Sequence, residues 1–350
     1  MRTVKGLGSI ESISEVLDCL KLKKILIVSG KNSFKNSGAE KALKRLLVKF
    51  ELHYFNDFTS NPKLSDALKG VDVAEKFGLE AIIAIGGGSV IDMSKLIKGF
   101  LYNSSEALNM MKGKAIIKNS KIPLIAIPTT AGTGSEETHF AVVYDDDKKY
   151  SLAAKFLRPN YVILDGNLAL SKNKYQKACN VLDSISQSIE STWSINSTKQ
   201  SRKISLKALK KSMEHYFDFV NKNKNYEEIS QNMLEAANLS GKSIDLTKTT
   251  AAHAWSYGFT SQLNLPHGHA VWMTLPKIFV IHSNNGNILN DDRGENFVSQ
   301  TMQELQKVLE ISDKDSIEKT FLDLLSSISV NIDFDKFDKL TNDKRIELSK

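Results

Sequence analysis

The chain has 350 residues, 47 Lys+Arg against 40 Asp+Glu, a net charge of +7, 41% hydrophobic residues and two cysteines. That balance excludes a disordered chain, and two cysteines exclude a disulfide framework, which makes a reducing, cytoplasmic location the expectation. No leader is expected, because MRTVKGLGSIESISEVLDCLKLKK lacks an apolar stretch, and no run reaches the roughly 18 apolar residues of a membrane helix. The lysines are scattered and interleaved with acids, as on solvated helix faces, so a small anion is a better partner than a nucleic acid.

In chain order, KKILIVSG (24–30) reads as a buried parallel strand and 38–50 as a helix. A strand at 53–58 and a helix at 65–78 follow. Next come a strand at 81–88, a helix at 89–102 capped by Ser89, a strand at 122–130 and another at 160–165. Strands alternating with helices of 10–15 residues predict an α/β doubly wound parallel sheet. From about residue 170 the period is helical, at 174–194, 201–220, 226–245, 249–263, 268–283, 295–310 and 315–328. The expected division is 1–167, an α/β dinucleotide-binding domain, and 168–350, an all-α domain.

Two loops of the first half invite a nucleotide. Gly86, Gly87, Gly88 and Ser89 follow a strand and open a helix, where backbone N–H groups and the helix dipole favour a pyrophosphate. The spacing is not G-x-G-x-x-G. Thr129, Thr130, Ala131, Gly132, Thr133, Gly134 and Ser135 form a second such turn after the next strand. In the second half Asp183 and Gln187, at i and i+4, share a helix face, and His253 and His267 lie 14 residues apart. One carboxylate and two imidazoles suit Zn²⁺ or Fe²⁺, but polar residues of an ordinary helical domain read the same way from spacing alone.

GGGSVIDMSK (86–95), IPTTAGTGSE (127–136), the Asp183 helix and HAWSYGFTSQLNLPHG (253–268) together resemble the iron-containing (group III) alcohol dehydrogenases over nearly the whole chain. The resemblance implies a dehydroquinate synthase-like architecture, a nicotinamide cofactor, NADPH or NADH, and a divalent metal between the domains. It also implies a homodimer or larger assembly and maps metal ligands onto Asp183, position 187, His253 and His267. Position 187 departs, with Gln for the usual His: either Gln187 ligates through its oxygen, or it contacts substrate and three protein ligands remain. A further family His is Tyr257 here, so Tyr257 and His269 become the candidates for proton delivery, with His269 expected to face away.

Where many NAD-preferring members carry Asp after the first strand, this chain has Gly30, Lys31, Asn32 and Ser33, which predicts that NADPH is accepted. Asp92, Lys95 and Lys149 match positions near the cofactor. SQ-x-x-ES-x-WS-x-NST, TKTTAAHAWSY and PHGHAV look like the branch that reduces phosphonoacetaldehyde to 2-hydroxyethylphosphonate, with Lys248, Thr249 and Arg158 as candidates for the phosphonate. Alternatives are a general alcohol dehydrogenase, a metal-dependent lyase of dehydroquinate synthase type, and a nucleotide-binding relative that has lost its metal. The chain is a little short for the family, whose members usually continue past KRIELSK, so a truncated or compact member is expected.

Overall fold

The computed structural model describes residues 2–146, 148–170, 173–223, 225–284 and 291–332, so the KRIELSK terminus lies outside the described residues. Two compact units emerge: Met1–Thr130 with Gly134–Ser171, and Ala131–Thr133 with Lys172–Lys350.

The first unit carries strands β1 (Arg2–Lys5), β2 (Lys24–Ser29), β3 (Glu51–Phe55), β4 (Ala81–Gly86), β5 (Leu124–Pro128), β6 (Phe140–Asp145), β7 (Lys148–Ala153) and β8 (Tyr161–Leu164). Six form one all-parallel sheet in the order β1-β8-β5-β4-β2-β3, while β6 and β7 pair as a separate antiparallel hairpin. The central strands KILIVS, AIIAIG and LIAIP are apolar on both faces because helices cover both. Alternation sorts the side chains. Ile25, Ile27, Ile83, Ile85, Ile125 and Ile127 meet α1 (Ile13–Cys19) and α3 (Ala39–Leu46), which flank the short α2 (Ser33–Asn36). Leu26, Val28, Ile82, Ala84, Leu124 and Ala126 meet α4 (Leu64–Phe77), α5 (Gly88–Phe100) and α6 (Ala107–Met111).

The order matters for function. From β2 the chain goes to β3 at the edge, then returns to β4 on the other side of β2, so the winding reverses between β2 and β4. Ligands of open parallel sheets bind outside the carboxyl ends of strands at such a reversal. Gly30 follows β2 and Gly86–Gly88 ends β4, so both expected glycine sites meet there.

The second unit is helical: α7 (Lys174–Trp193), α8 (Lys199–Asn221), α9 (Tyr226–Thr247), α10 (Ala251–Leu263), α11 (His267–Trp272), α12 (Leu275–Asn284), α13 (Glu295–Val308) and α14 (Ile317–Ser327). Helix α7 is buried on all sides beyond its first turns, and its small hydroxyls are spent on neighbours: Thr192 bonds Ser205 at 2.7 Å and Ser243 donates to Ser191 at 2.9 Å. Such pairs satisfy polar groups that a central helix would otherwise bury at a cost.

Four details differ from the sequence reading. The cap of α5 is Gly87, and the Ser89 hydroxyl, inside the first turn, donates instead to the Ser60 carbonyl. The second strand runs over 51–55, earlier than 53–58. The segment 268–283 is two helices, because Pro276 has no N–H to continue the ladder of α11. Strand β1 was not anticipated: RTVK is short, largely exposed and held by β8 alone.

Candidate active site: a glycine-rich sheet edge and a carboxylate–histidine cluster

At the carboxyl edge of the first unit the glycines are required by space. A Cβ on Gly86 would lie 2.5 Å from Val90 Cγ2, and one on Gly87 would lie 3.2 Å from Thr130 Oγ1. A Cβ on Gly30 would lie 2.4 Å from Ser33 Oγ. The loops after β4 and β5 are joined by the Thr129 N–H, which donates to the Gly86 carbonyl at 2.9 Å. Two hydroxyls at this edge, Ser29 Oγ and Thr129 Oγ1, are buried without a hydrogen-bond partner. Orphaned hydroxyls beside a helix start are what a polar ligand satisfies.

Three of the polar side chains expected near the cofactor, Asp92, Lys95 and Ser135, are tied to one another. Asp92 accepts from the Ser135 hydroxyl at 2.5 Å and the Val142 N–H at 3.0 Å. The fully buried Lys95 ammonium donates to Ser135, Thr138 and the Phe140 carbonyl, and burial lowers it to about 8 against the pull of Asp92. These bonds fasten the Thr/Gly-rich turn to α5. Lys31 pairs with Asp57 at 3.2 Å, and both side chains are exposed. The cation expected to favour a 2′-phosphate thus has a carboxylate beside it, in a pair worth about 0–1 kcal/mol. Lys149 stands on β7 opposite Tyr144, in the hairpin. Thr133 groups with the second unit: its carbonyl accepts from Gln187 at 3.3 Å, and Gly132 lies so close to α7 that a Cβ would stand 3.0 Å from the Asn180 backbone.

In the second unit, α7, α10 and α11 bring Asp183, His253 and His267 together, with one ligand atom from each within 4.8 Å of the others. His253 Nε2 lies 3.4 Å and His267 Nε2 3.8 Å from Asp183 Oδ1. Close packing puts His267 there. A Cβ on the adjacent Gly268 would fall 1.9 Å from the Cys179 carbonyl, and Trp272 Nε1 donates to the Leu182 carbonyl at 2.8 Å. Helix α11 can therefore sit against α7 only with glycine at that point.

Glu190, two turns after Asp183 on the same face, organises the cluster, and the sequence reading did not single it out. Fully buried, its Oε1 accepts from the Thr250 N–H and hydroxyl, at 3.0 and 2.6 Å, and from the Ala252 N–H at 3.1 Å. Its Oε2 is bonded to His253 Nδ1. That bond engages Nδ1 and orients the ring so that Nε2 faces Asp183.

The donor set fits a divalent cation. His253 Nε2 is buried with no hydrogen-bond partner, as suits a nitrogen that would ligate a metal ion. The charge agrees. Burial lowers the His253 imidazole, but Glu190 and Asp183 outweigh burial and raise it to about 9. Burial likewise raises the Asp183 carboxyl, and His267, His253 and the Gln187 amide outweigh it, holding that group below the ordinary range. A pocket that attracts a proton this strongly without metal attracts a cation.

Gln187 is hydrogen-bonded on both sides of its amide. Its Nε2 donates to Asp183 Oδ1 at 3.1 Å and to the Thr133 carbonyl, while its Oε1 accepts from the Ser240 hydroxyl at 2.9 Å. Two acceptors on one side fix the amide orientation, so the oxygen expected as a fourth ligand faces Ser240. His269 also stands elsewhere, as its ring nitrogens bond the Tyr175 hydroxyl at 2.8 Å and the Asn331 carbonyl at 3.1 Å. Tyr257 lies one turn beyond His253 on α10 and is exposed.

Lys248 ends α9 at φ 63°, ψ 173°, a conformation almost confined to glycine that costs about 1–3 kcal/mol in other residues. The surrounding bonds enforce it. Ser194 and Asn196 donate to the Thr247 carbonyl, Thr247 Oγ1 donates to the Lys248 carbonyl, and Thr250 is held by Glu190 and Trp193. Thr249 completes this turn, half-buried. Arg158 belongs to the first unit, among Lys98, Lys121 and Lys155.

Residues 1–166 match the iron-containing alcohol dehydrogenase family, and residues 177–342 match the Fe-containing alcohol dehydrogenase family, C-terminal. The chain belongs to the iron-containing alcohol dehydrogenase family. The family is one of oxidoreductases that use a nicotinamide cofactor and a divalent metal. Aldehyde-alcohol dehydrogenase 2 of Entamoeba histolytica is 31% identical over 283 residues, 76% of this chain and 32% of its own. Phosphonoacetaldehyde reductase of Streptomyces viridochromogenes is 29% identical over 65% of this chain and 59% of its own. Among solved structures, sulfoacetaldehyde reductase of Bifidobacterium kashiwanohense in complex with NAD⁺ superposes with a TM-score of 0.89 at 25% identity, covering 99% of this chain and 89% of that one. The chain thus spans about a third of the length of the aldehyde-alcohol dehydrogenase it matches. No helix of the described residues is long and apolar enough to cross a membrane.

Proposed function

We propose that the protein reduces a small anionic aldehyde to its alcohol with hydride from NADH or NADPH, and that the substrate is phosphonoacetaldehyde, giving 2-hydroxyethylphosphonate. The observation that carries the chemistry is the Asp183–His253–His267 cluster with its buried, unpartnered Nε2. A divalent metal held by these three side chains supplies a Lewis acid that polarises a carbonyl and offsets the charge growing on its oxygen.

The chain's own residues do the rest. Asp183 brings negative charge to a buried place, and Glu190 fixes the orientation of the His253 ring, so the side chains are placed before any ligand arrives. Gln187 donates to Asp183 and orients its carboxylate through Ser240 and the Thr133 carbonyl. Tyr257 is the side chain of this reading that passes a proton to the product oxygen; its phenol stands exposed one turn from His253.

The substrate choice rests on Lys248. A strained, enforced backbone at a lysine calls for a reason, and a lysine in a threonine-rich turn suits a dianionic phosphonate. Two relatives support an anionic two-carbon aldehyde, one named for phosphonoacetaldehyde and one for sulfoacetaldehyde. A cytoplasmic location, self-association and acceptance of NADPH belong to the same proposal. The free Cys19 and Cys179 suit a reducing compartment.

The test is NAD(P)H oxidation by metal-loaded enzyme with phosphonoacetaldehyde, sulfoacetaldehyde and acetaldehyde. Phosphonoacetaldehyde should give the highest kcat/KM, and Lys248→Ala should raise its KM at least tenfold while leaving acetaldehyde nearly unchanged. Equal kcat/KM for all three aldehydes would reduce the reading to a general aldehyde reductase. Purified protein that neither contains nor takes up Zn²⁺ or Fe²⁺ would support the relative without metal.

A further inference from the structure

The first unit has a cavity, of about 410 Å³, at the opposite end of the sheet from the glycine loops. Its walls come from the last turn of α5 (Lys98), the approach to β5 (Asn119, Lys121) and the approach to β8 (Lys155, Arg158, Asn160). These segments lead into the amino ends of two parallel strands. The cavity is therefore separated from the carboxyl edge by the length of β5, roughly 16 Å for five residues.

Four of its lining residues are cationic and none is acidic. Lys98 is only 2% exposed, and its ammonium donates to Asn160 Oδ1 at 3.3 Å. That same amide oxygen accepts from the Leu124 N–H at 2.9 Å, so Asn160 is fixed in place. Burial alone lowers Lys98 to about 8, with no carboxylate acting against it. Lys95 is answered by Asp92, and the buried Lys177 by the Tyr226 hydroxyl and the Phe219 ring, whereas the Lys98 ammonium meets one amide oxygen at the wall of an open cavity. Lys121 and Lys155 stand exposed at the mouth. A buried cation, two exposed cations and two amides around one cavity form a receptor for an anion with several oxygens.

We propose that this cavity binds a phosphate-class polyanion, a second ligand site independent of the dinucleotide edge and of the metal cluster. Its volume falls in the range of small-molecule pockets and exceeds what a bare phosphate fills, so it accommodates a phosphate ester or a pyrophosphate. The chemistry is common to the free ion and to a phosphorylated metabolite. Binding here stabilises the first unit by mass action.

The test uses full-length protein saturated with NADH, so that the dinucleotide edge is filled. Thermal unfolding is followed against orthophosphate, pyrophosphate and glycerol 3-phosphate, each beside sodium chloride of equal ionic strength. A saturable rise in Tm at millimolar ligand, absent with chloride, is expected. The double reversal Lys121→Glu, Lys155→Glu should weaken it at least tenfold and leave NADH affinity unchanged. These positions are exposed, so the fold survives; Lys98→Met then tests the buried cation. Tighter binding of the ester than of orthophosphate marks a metabolite site, and equal binding marks a site for the free ion. A Tm response identical to chloride, or one undiminished in the double reversal, would overturn the proposal.

Discussion

The two sites implied by this chain are built on opposite principles. At the sheet edge of the first unit the candidate surface is largely backbone: glycines in tight quarters, most of all Gly86 against Val90, N–H groups at a helix start, and side chains such as Asp92, Ser135 and Lys95 that fasten loops to one another. In the second unit the ligand surface is side chain. Asp183, His253 and His267 converge, and one nitrogen is left bare. The lesson is that polar residues of a nucleotide-loop motif can also serve to hold the loops together, whereas carboxylate and imidazoles from three helices converge on one another. Buried charge must be matched by something, and at the cluster two carboxylates and two imidazoles answer one another in a set that also suits a cation.

The largest way to break the contrast is Gly268→Ala. The new methyl would meet the Cys179 carbonyl, so α11 must move and carry His267 with it. A loss toward or beyond the upper end of roughly 1–3 kcal/mol is expected in urea unfolding, together with loss of metal binding and retention of NADH binding. Next comes Glu190→Ala, which frees the His253 ring to turn and orphans the Thr250 donors. Metal affinity measured by chelator competition should fall about 10–100-fold with NADH affinity unchanged. An unchanged metal affinity would show that Glu190 only fills space.

His282 sharpens the same point by pH. It packs on Trp193 at 4.3 Å, and burial drives it down to about 4, opposite in direction to His253 beside its two carboxylates. A histidine depressed in the folded state is neutral in both states above its ordinary value near 6.5 and costs stability as pH falls from there toward 4. Allowing for its partial exposure, roughly 2 kcal/mol should be lost over that window. His282→Gln should flatten that part of the profile in urea unfolding at stepped pH. The smallest effect belongs to Lys31→Ala. Breaking an exposed pair with Asp57 should change the KM for NADPH by a few-fold and that for NADH less. A larger change with NADH would place Lys31 outside the 2′-phosphate contact.

Much of this was legible because the relevant signals are periodic. Continuous runs such as KILIVS and AIIAIG declare central parallel strands, and the helical stretch from Lys174 declares α7. The metal trio was legible from residue type together with the family resemblance. Glu190 was missed although its spacing of seven from Asp183 placed it on the same face, because a glutamate in a serine-rich helix has no signature until His253 is brought against it from another helix. Strand β1 was missed because its stability lies wholly in pairing with β8, more than 150 residues away. The turn of the Gln187 amide was undecidable from sequence, since Ser240 and the Thr133 carbonyl choose it.

The central claim is that three side chains, organised by Glu190 and without Gln187, hold one divalent cation. Titration of metal-free protein with Co²⁺, read by its visible absorption, tests it most directly. One equivalent should bind to wild type and to Gln187→Ala with similar affinity, while His253→Ala and Asp183→Asn should each abolish the signal. Binding lost with Gln187→Ala, or retained in His253→Ala, would contradict the account.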